Sequence, residues 1–511
     1  MKNCIAVFLL CAATAAAHAQ TVTNVPPASA NVREMSLKDC VQVALRDNFD
    51  VQIQRENVDI QMYGLRGDYG GYDPTFSMSG QHSHNNTFEL YPFPSLVGSN
   101  EVTTYLPASS LTDINSFNSG FTGTSPWGLQ YNLFGNIDES TETQPRQPVE
   151  DFSSGQIGLT ATQPLLKNLW IDTTRLTILI AKNSLQQSEQ GLRLQFITTV
   201  AAVQNAYYEL IYAQDNVDVQ LEALKLAQTQ LDQDRQRVEV GSLAPLDVQQ
   251  DEAQASSSQA ALITARNTLS IDQNTLKNLL VTDYSRWHDT TIQPTEQLTA
   301  DLQLFDLQDC WSQGMTKRPD LLQARLNVQS QGITLKFDRN QLYPSLDLNG
   351  QYGYNGAGQV YSGTFDQYAD ANHPFYYYGA SISFPLSNVK ARNTLKSDKA
   401  TLKQELLSLK ELEQNIMVEI DNSVQQVAAD YQGVEASHQA SVYAAAALDA
   451  EQKKYDVGKS TTFTVLQLQN TLTADRGAEI RSIANYNEDL AKLSQNEGTT
   501  LDDLNVDIQT R

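Results

Sequence analysis

The residues with the greatest chemical reach are few and scattered in this chain. Of its six histidines, only His82 and His84 stand two apart, a spacing that puts both on one face of a strand and that a metal ion could use. No cysteine or carboxylate cluster lies near them, so they read as a polar surface pair. Cys4 and Cys11 belong to an N-terminal segment treated below. Cys40 and Cys310, which remain, are too few for a disulfide scaffold. No phosphate-cradling glycine loop and no nucleophile motif is present. The residues thus point to no catalysis, metal or cofactor, and function has to be sought in shape. Acidic side chains outnumber basic ones, 59 to 35, for a formal charge of −24. That balance argues against a nucleic-acid partner, whose phosphates need a basic face.

The first residues read as an address. Lys2 precedes an apolar stretch from Ile5 to Ala17, and Ala17-His18-Ala19 before Gln20 fits the small-x-small site of a secretory signal, so 1–19 is expected to be removed, leaving an extension over 20–35. Leu10 stands where a lipoprotein signal has a small residue, which weakens a lipid anchor at Cys11. Beyond this segment no apolar run reaches the roughly 18 residues of a membrane-spanning helix. Aromatics are unevenly spread: 25 of the 42 lie between Tyr69 and Phe152 or between Phe337 and Phe384.

The chain is also a duplication. Leu37-Lys38-Asp39-Cys40 matches Leu307-Gln308-Asp309-Cys310, and at the same offset Asp50 meets Asp320, Asn57-Val58 meets Asn327-Val328, Pro74 meets Pro344, and Gly80-Gln81 meets Gly350-Gln351. Further on, Pro164-Leu165 meets Pro385-Leu386, and Val240-Gly241 meets Val457-Gly458. The repeats are read as 36–281 and 306–498, with a linker over 282–305 and a tail over 499–511. The shorter later offset assigns the first repeat a long loop, with some extra β structure, within 86–151. Each repeat reads as helix, strand pair, very long helix, turn, helix. Ser36 and Asp306 cap opening helices of about 31 residues. From Asp172 to Glu239 there is no proline, and Val203, Leu210, Val217, Leu224, Leu231 and Val238 recur every seven residues, a coiled-coil seam on a helix on the order of 100 Å long. The two short helices of each repeat are expected to stack end to end beside the long one. Glycine at 241 and 458 lets the chain reverse between antiparallel helices.

The aromatic-rich windows alternate. Leu346, Leu348, Gly350, Tyr352 and Tyr354 stand against Ser345, Asp347, Asn349, Gln351 and Gly353. Ile382 and Phe384 stand against Ser381 and Ser383, Phe76 and Met78 against Ser77 and Ser79, and Ile157 and Leu159 against Gln156, Gly158 and Thr160. Strands of about ten residues, apolar on one side and small-polar on the other, suit a transmembrane β-barrel, with Phe76, Met78, Ile157, Leu159, Leu346, Leu348, Tyr352, Ile382 and Phe384 facing lipid. Four strands cannot close a barrel alone, so the chain must oligomerise. The fold class is mainly α with β.

The tandem organisation, the opening motif (Ser36, Leu37, Cys40, Ala44, Leu45), the strand end Thr162-Gln163-Pro164-Leu165-Leu166 and the turn Val240-Gly241-x-x-x-x-Leu246-Asp247-Val248 resemble the TolC-type outer membrane efflux protein family across nearly the whole mature chain. The resemblance implies a homotrimer in the outer membrane of a Gram-negative-type cell, with a 12-stranded barrel, four strands per chain, and an α-helical barrel reaching into the periplasm. It implies an exit duct of a tripartite efflux pump or type I secretion system, docking a periplasmic adaptor (membrane fusion) protein and an inner-membrane transporter of the RND or ABC class. The turns near Gly241, with Pro245, and near Gly458 would form the periplasmic tip. By resemblance, Asp247 matches a first-half aspartate that ties neighbouring coils together, and Tyr455 a tyrosine that accepts such a link; a solvated residue favourable to the helix dipole is the other reading of Asp247. Family members often carry two aspartates three apart after the second turn; Thr464 and Gln467 stand there instead, which argues against a tight cation-binding gate. Two other readings stay open: a structural or adhesive coiled coil anchored in the outer membrane, and a soluble periplasmic binding module.

Overall fold

The computed structural model describes residues 31–97, 100–144 and 148–504; the signal segment, most of the extension over 20–35 and the end of the tail lie outside them. The first half runs β1(Asn31–Met35), α1(Leu37–Asp47), α2(Phe49–Tyr69), β2(Thr75–Val97), β3(Asn100–Thr124), β4(Gln130–Thr143), β5(Glu150–Pro164), α3(Thr173–Glu239) and α4(Pro245–Leu280). A connection carries α5(Tyr284–Trp287) and β6(Thr290–Pro294). The second half runs α6(Leu307–Lys317), α7(Pro319–Gln341), β7(Ser345–Gly358), α8(Tyr361–Asp370), β8(Pro374–Ser383), α9(Val389–Asp456) and α10(Thr462–Glu497), followed by α11(Thr500–Asp503).

The opening helix of each repeat is two helices rather than one of about 31 residues. Asn48 is extended (ψ 133°), and its side chain caps α2 by accepting from the Asp50 and Val51 amides. Arg318 is extended because Pro319 opens α7, and a residue before proline is pushed out of the helical region. Both breaks are clamped to the end of the returning helix. Asn48 donates its amide to the Leu279 carbonyl at 3.1 Å, and Arg318 donates to the Asn496 carbonyl at 3.3 Å. The short helices thus meet end to end, α2 and α4 along α3, α7 and α10 along α9. Because α7 and α10 also pack on α3, the helices form a strip in the order α2 with α4, α3, α7 with α10, α9.

Two cores occupy equivalent places. In the first, Cys40, Val51 and Leu276 pack with Phe196, Tyr207 and Leu210; in the second, Cys310, Leu321 and Leu493 pack with Ile416, Ile420 and Tyr486. Burying side chains of this size contributes roughly 1.5–3 kcal/mol each. Extension and linker meet as β1 and β6, a parallel pair running from Asn31 opposite Thr290 to Met35 opposite Pro294, over which Tyr207 donates its hydroxyl to the Met35 carbonyl.

The sheet corrects the sequence reading. Residues 86–151 are not a long loop: β2 and β3 form a hairpin paired from Thr75 opposite Thr122 to Val97 opposite Asn100, and β4 follows. Among the described residues the sheet therefore has six strands rather than four, in the antiparallel order β2-β3-β4-β5-β7-β8. The two strands matched by the duplication, β2 and β5, are separated by β3 and β4. Among the described residues, the outer edges of β2 and β8 have no neighbour.

Cys40 and Cys310 are free thiols, both buried, and burial pushes each up to about 12. Since the thiolate is the nucleophile, neither should react with iodoacetamide at about pH 8 in the native protein, while both should alkylate fully after denaturation; mass spectrometry of peptides from each state reads this. Native labelling of either would show that its core is open.

Candidate functional site

The far ends of the long helices turn in the same way. Gly241 (φ +77°) donates to the Val238 carbonyl and Ser242 to the Arg237 carbonyl, both at 2.9 Å; Gly458 (φ +73°) donates to Tyr455 and Lys459 to Lys454, again at 2.9 Å. This is the double bond of a helix end capped by a left-handed residue, which glycine adopts without strain. Pro245 then opens α4, where its missing amide costs nothing. Thr461 caps α10, accepting from the Thr464 amide.

Beside the turns, α9 reaches across to α3. The Tyr455 hydroxyl donates to Asp234 Oδ2 at 2.7 Å and lies 2.8 Å from Thr462 Oγ1. Gln230 donates to the same Asp234 oxygen at 2.8 Å. The Arg237 guanidinium stacks over the Tyr455 ring, 4.5 Å from its centroid, and donates to Asp456 at 2.9 Å. Tyr455, Thr462 and Asp234 are all buried. Burial, with the Asp234 charge opposing ionisation, pushes the phenol up to about 12, so it stays a donor.

The acceptor for Tyr455 within the chain is therefore Asp234 on α3 and not Asp247. Asp247 sits half-exposed in the first turn of α4, beside exposed Pro245; Thr464 is half-exposed and paired with Thr461, and Gln467 is exposed. Asp234 was readable in principle, because three residues beyond Val203, Leu210 and Leu224 of the seam come Ala206, Ala213 and Ala227, and three beyond Leu231 comes Asp234. An acid at such a position has to be matched.

The sheet has two unlike faces. Cross-strand register places Phe76 and Met78 beside Phe121 and Ser119, then Leu133 and Gly135, Leu159 and Ile157, Tyr352 and Tyr354, and Tyr376 and Pro374. Leu346, Leu348 and Ile382 share this face, and Phe384 continues its alternation just past β8. These side chains are strongly exposed in the single chain, Phe76 at 67% and Met78 at 73%. The other face carries Ser77, Ser79, Asn132, Gln156, Thr160, Asn349, Gln351 and Ser381. At one end the apolar face is covered by α8, seated where Gly155, Gly356 and Gly358 leave room; Thr364 donates to Ser153 and Tyr368 to the Asn136 carbonyl. His82 and His84 are on this face too, held by Asn115 and Asp113 at 2.8 and 2.6 Å. No described helix is long and apolar enough to cross a membrane.

A long helical strip joined to a sheet with one apolar and one polar face is the architecture of outer membrane channels. The profile of the family described as outer membrane efflux protein matches residues 129–281 and 312–499, and the chain belongs to that family. It is 25% identical over 345 residues to the outer membrane protein TolC of Vibrio cholerae, spanning 66% of this chain and 74% of that one. It is 28% identical over 302 residues to TolC of Escherichia coli, spanning 56% and 57%. The fold is shared with the Campylobacter jejuni CmeC outer membrane channel (TM-score 0.64, 15% identity, 91% and 86% of the two chains) and with CusC (TM-score 0.66, 15% identity, 91% and 92%). The protein is an outer membrane efflux channel component that extends into the periplasm.

Removing the Tyr455 hydroxyl leaves Asp234 with fewer donors in a dry seam, a loss of about 1–3 kcal/mol. Tyr455→Phe should therefore speed amide exchange over 234–240 by roughly 5- to 150-fold and leave the cores around Phe196 and Ile416 unchanged, as read by hydrogen-exchange mass spectrometry. Equal protection in the variant would show that this bond does not hold the helix ends.

Proposed function

We propose that three copies of the chain close into the exit duct of a tripartite efflux pump or type I secretion system. The observation that carries this is the pair of free edges. The sheet has an apolar face across all six strands, yet among the described residues no strand pairs with the outer edge of β2 or of β8, and in hydrocarbon each bare backbone group costs several kcal/mol. A neighbouring copy supplies both partners, β8 of one against β2 of the next. The helical strip is open in the same sense: α2 exposes Ile53, Ile60 and Tyr63, and α9 exposes Leu407, Val418 and Tyr443. Apolar surface on both outer columns suits copies set side by side around an axis.

Three copies of six strands make a barrel of eighteen, wider than the twelve expected from the family resemblance, with β3 and β4 sharing the apolar face of the others. Its polar face lines the lumen, and the strips form a helical tunnel below it. The turns at Gly241 and Gly458 form the periplasmic tip, where Pro245, Asp247, Thr464 and Gln467 are presented to the periplasmic adaptor, and an inner-membrane RND or ABC transporter completes the path. The tie between Asp234 and Tyr455 favours a narrowed tip.

The purified protein in mild detergent should scatter light as a trimer and form discrete channels in planar bilayers. A monodisperse monomer, or trimers without conductance, would overturn the reading and return attention to an anchored structural role.

A further inference from the structure

The Asp234 carboxylate is only half of what lies in the seam between α3 and α4. Asp251, on the first turns of α4, is 0% exposed, as is Asp234. Neither oxygen of Asp251 meets a hydrogen-bond donor, and Oδ1 of Asp234 has none either; Arg237 approaches that oxygen only to 3.5 Å. Tyr455 and Gln230 both donate to Asp234 Oδ2. Two ionised carboxylates cannot face each other in a dry seam, and a single proton between them supplies the missing donor.

We propose that Asp251 carries a proton with which it donates to Asp234, and that this proton is a ligand of the closed tip: bound, it holds α3 against α4 and keeps Asp234 in place for Tyr455; released, it leaves two charges that drive the helix ends apart. This rests on the duct reading above. The surrounding groups agree on where the proton sits. On α3, Arg237 is engaged by Asp456 and by the Tyr455 ring. On α4, Asp247 adds a second negative charge near Asp251, and on the exposed side of the same seam Arg235 and Glu252 pair with each other at 2.8 Å. From α9 come Tyr455 and Asp456, and from α10 the neutral Thr462. Among the described residues no lysine or arginine pairs with Asp251. Burial first, then the Asp234 and Asp247 charges, push Asp251 up to about 7.

The sign follows directly. A solvated aspartate in an opened tip has a pKa of about 4, so between about pH 4 and pH 7 the closed form holds a proton that the open form does not. Closing is favoured by acid, and the closed-to-open ratio falls about tenfold per pH unit in that window for each protomer, levelling off above about pH 7.

The test is single-channel recording of the reconstituted trimer between pH 5 and pH 9. Open probability should rise between about pH 5.5 and 7.5 in the native protein. Asp251→Asn, whose amide can donate to Asp234 without a proton, should stay closed and flat across the range, while Asp247→Asn, which removes one of the charges that raise Asp251, should keep a step displaced toward lower pH. Infrared spectroscopy at pH 6 supplies an independent readout: the native-minus-Asp251→Asn difference spectrum should contain a protonated carboxylic acid component, on top of the band that Asp338 and Asp489 leave in both proteins. A native channel without a pH step, a step that survives in Asp251→Asn, or an unchanged infrared band would each overturn the proposal. Absence of any channel would instead count against the duct reading.

Discussion

Every backbone donor and acceptor placed in hydrocarbon must be bonded, and the structure is organised around that requirement. A single antiparallel sheet of six strands goes far to satisfy it, and among the described residues the outer edges of β2 and β8 are the ones without a neighbouring strand. The same incompleteness runs down the helices, where exposed apolar side chains sit on α2 at one side of the strip and α9 at the other. In the proposed trimer one protomer is a sector, and its stability as drawn from a single chain is then a partial quantity.

The length of α3 and α9 imposes the second constraint. A helix of 67 or 68 residues has to be covered along its whole length, and the duplication provides the cover as two shorter helices butted together. The join is a weak point, since the last carbonyls of a helix have no partner of their own. Each repeat answers it with a polar side chain at the break, Asn48 in one and Arg318 in the other, reaching the terminal carbonyls of α4 and α10. Different residues do the same work at equivalent places, which is why the equivalence is clearer in the fold than in the letters.

The acidic excess is not confined to solvated surfaces. Besides the pair at the tip, burial together with Asp398 pushes Asp338 on α7 up to about 6, and burial together with Asp430 pushes Asp489 on α10 up to about 7. These seams hold protons in the folded state that the unfolded chain, with its carboxylates near pH 4, has given up. Their contribution is present toward acid and is lost as pH rises through about 6 to 7, so acid tightens these particular seams, while carboxylates held down by partners, such as Asp320 beside Arg318, act in the opposite sense.

Much of this was legible from residue order. The seven-residue recurrence from Val203 to Val238 marked α3, the Val-Gly pairs marked both reversals, and the alternation around Tyr352 and Ile157 marked which strand positions share a face, because each of these is a local periodicity imposed by backbone geometry. The break at Arg318-Pro319 was equally local and could have been read. What the sequence could not settle was which strands lie beside which, and which buried groups meet. Residues 86–151 are polar and small-rich, a composition that suits a loop until pairing with β2 and β5 turns it into strands; strand formation there depends on partners distant in the chain. Asp247 was matched by resemblance to an aspartate that ties neighbouring coils, with Tyr455 as its partner, whereas within the chain the hydroxyl is held by Asp234, 221 positions away. Hydrogen bonds within a few ångströms are decided by how long helices are phased across a seam, and that phase is a property of packing, which only the tertiary structure contains.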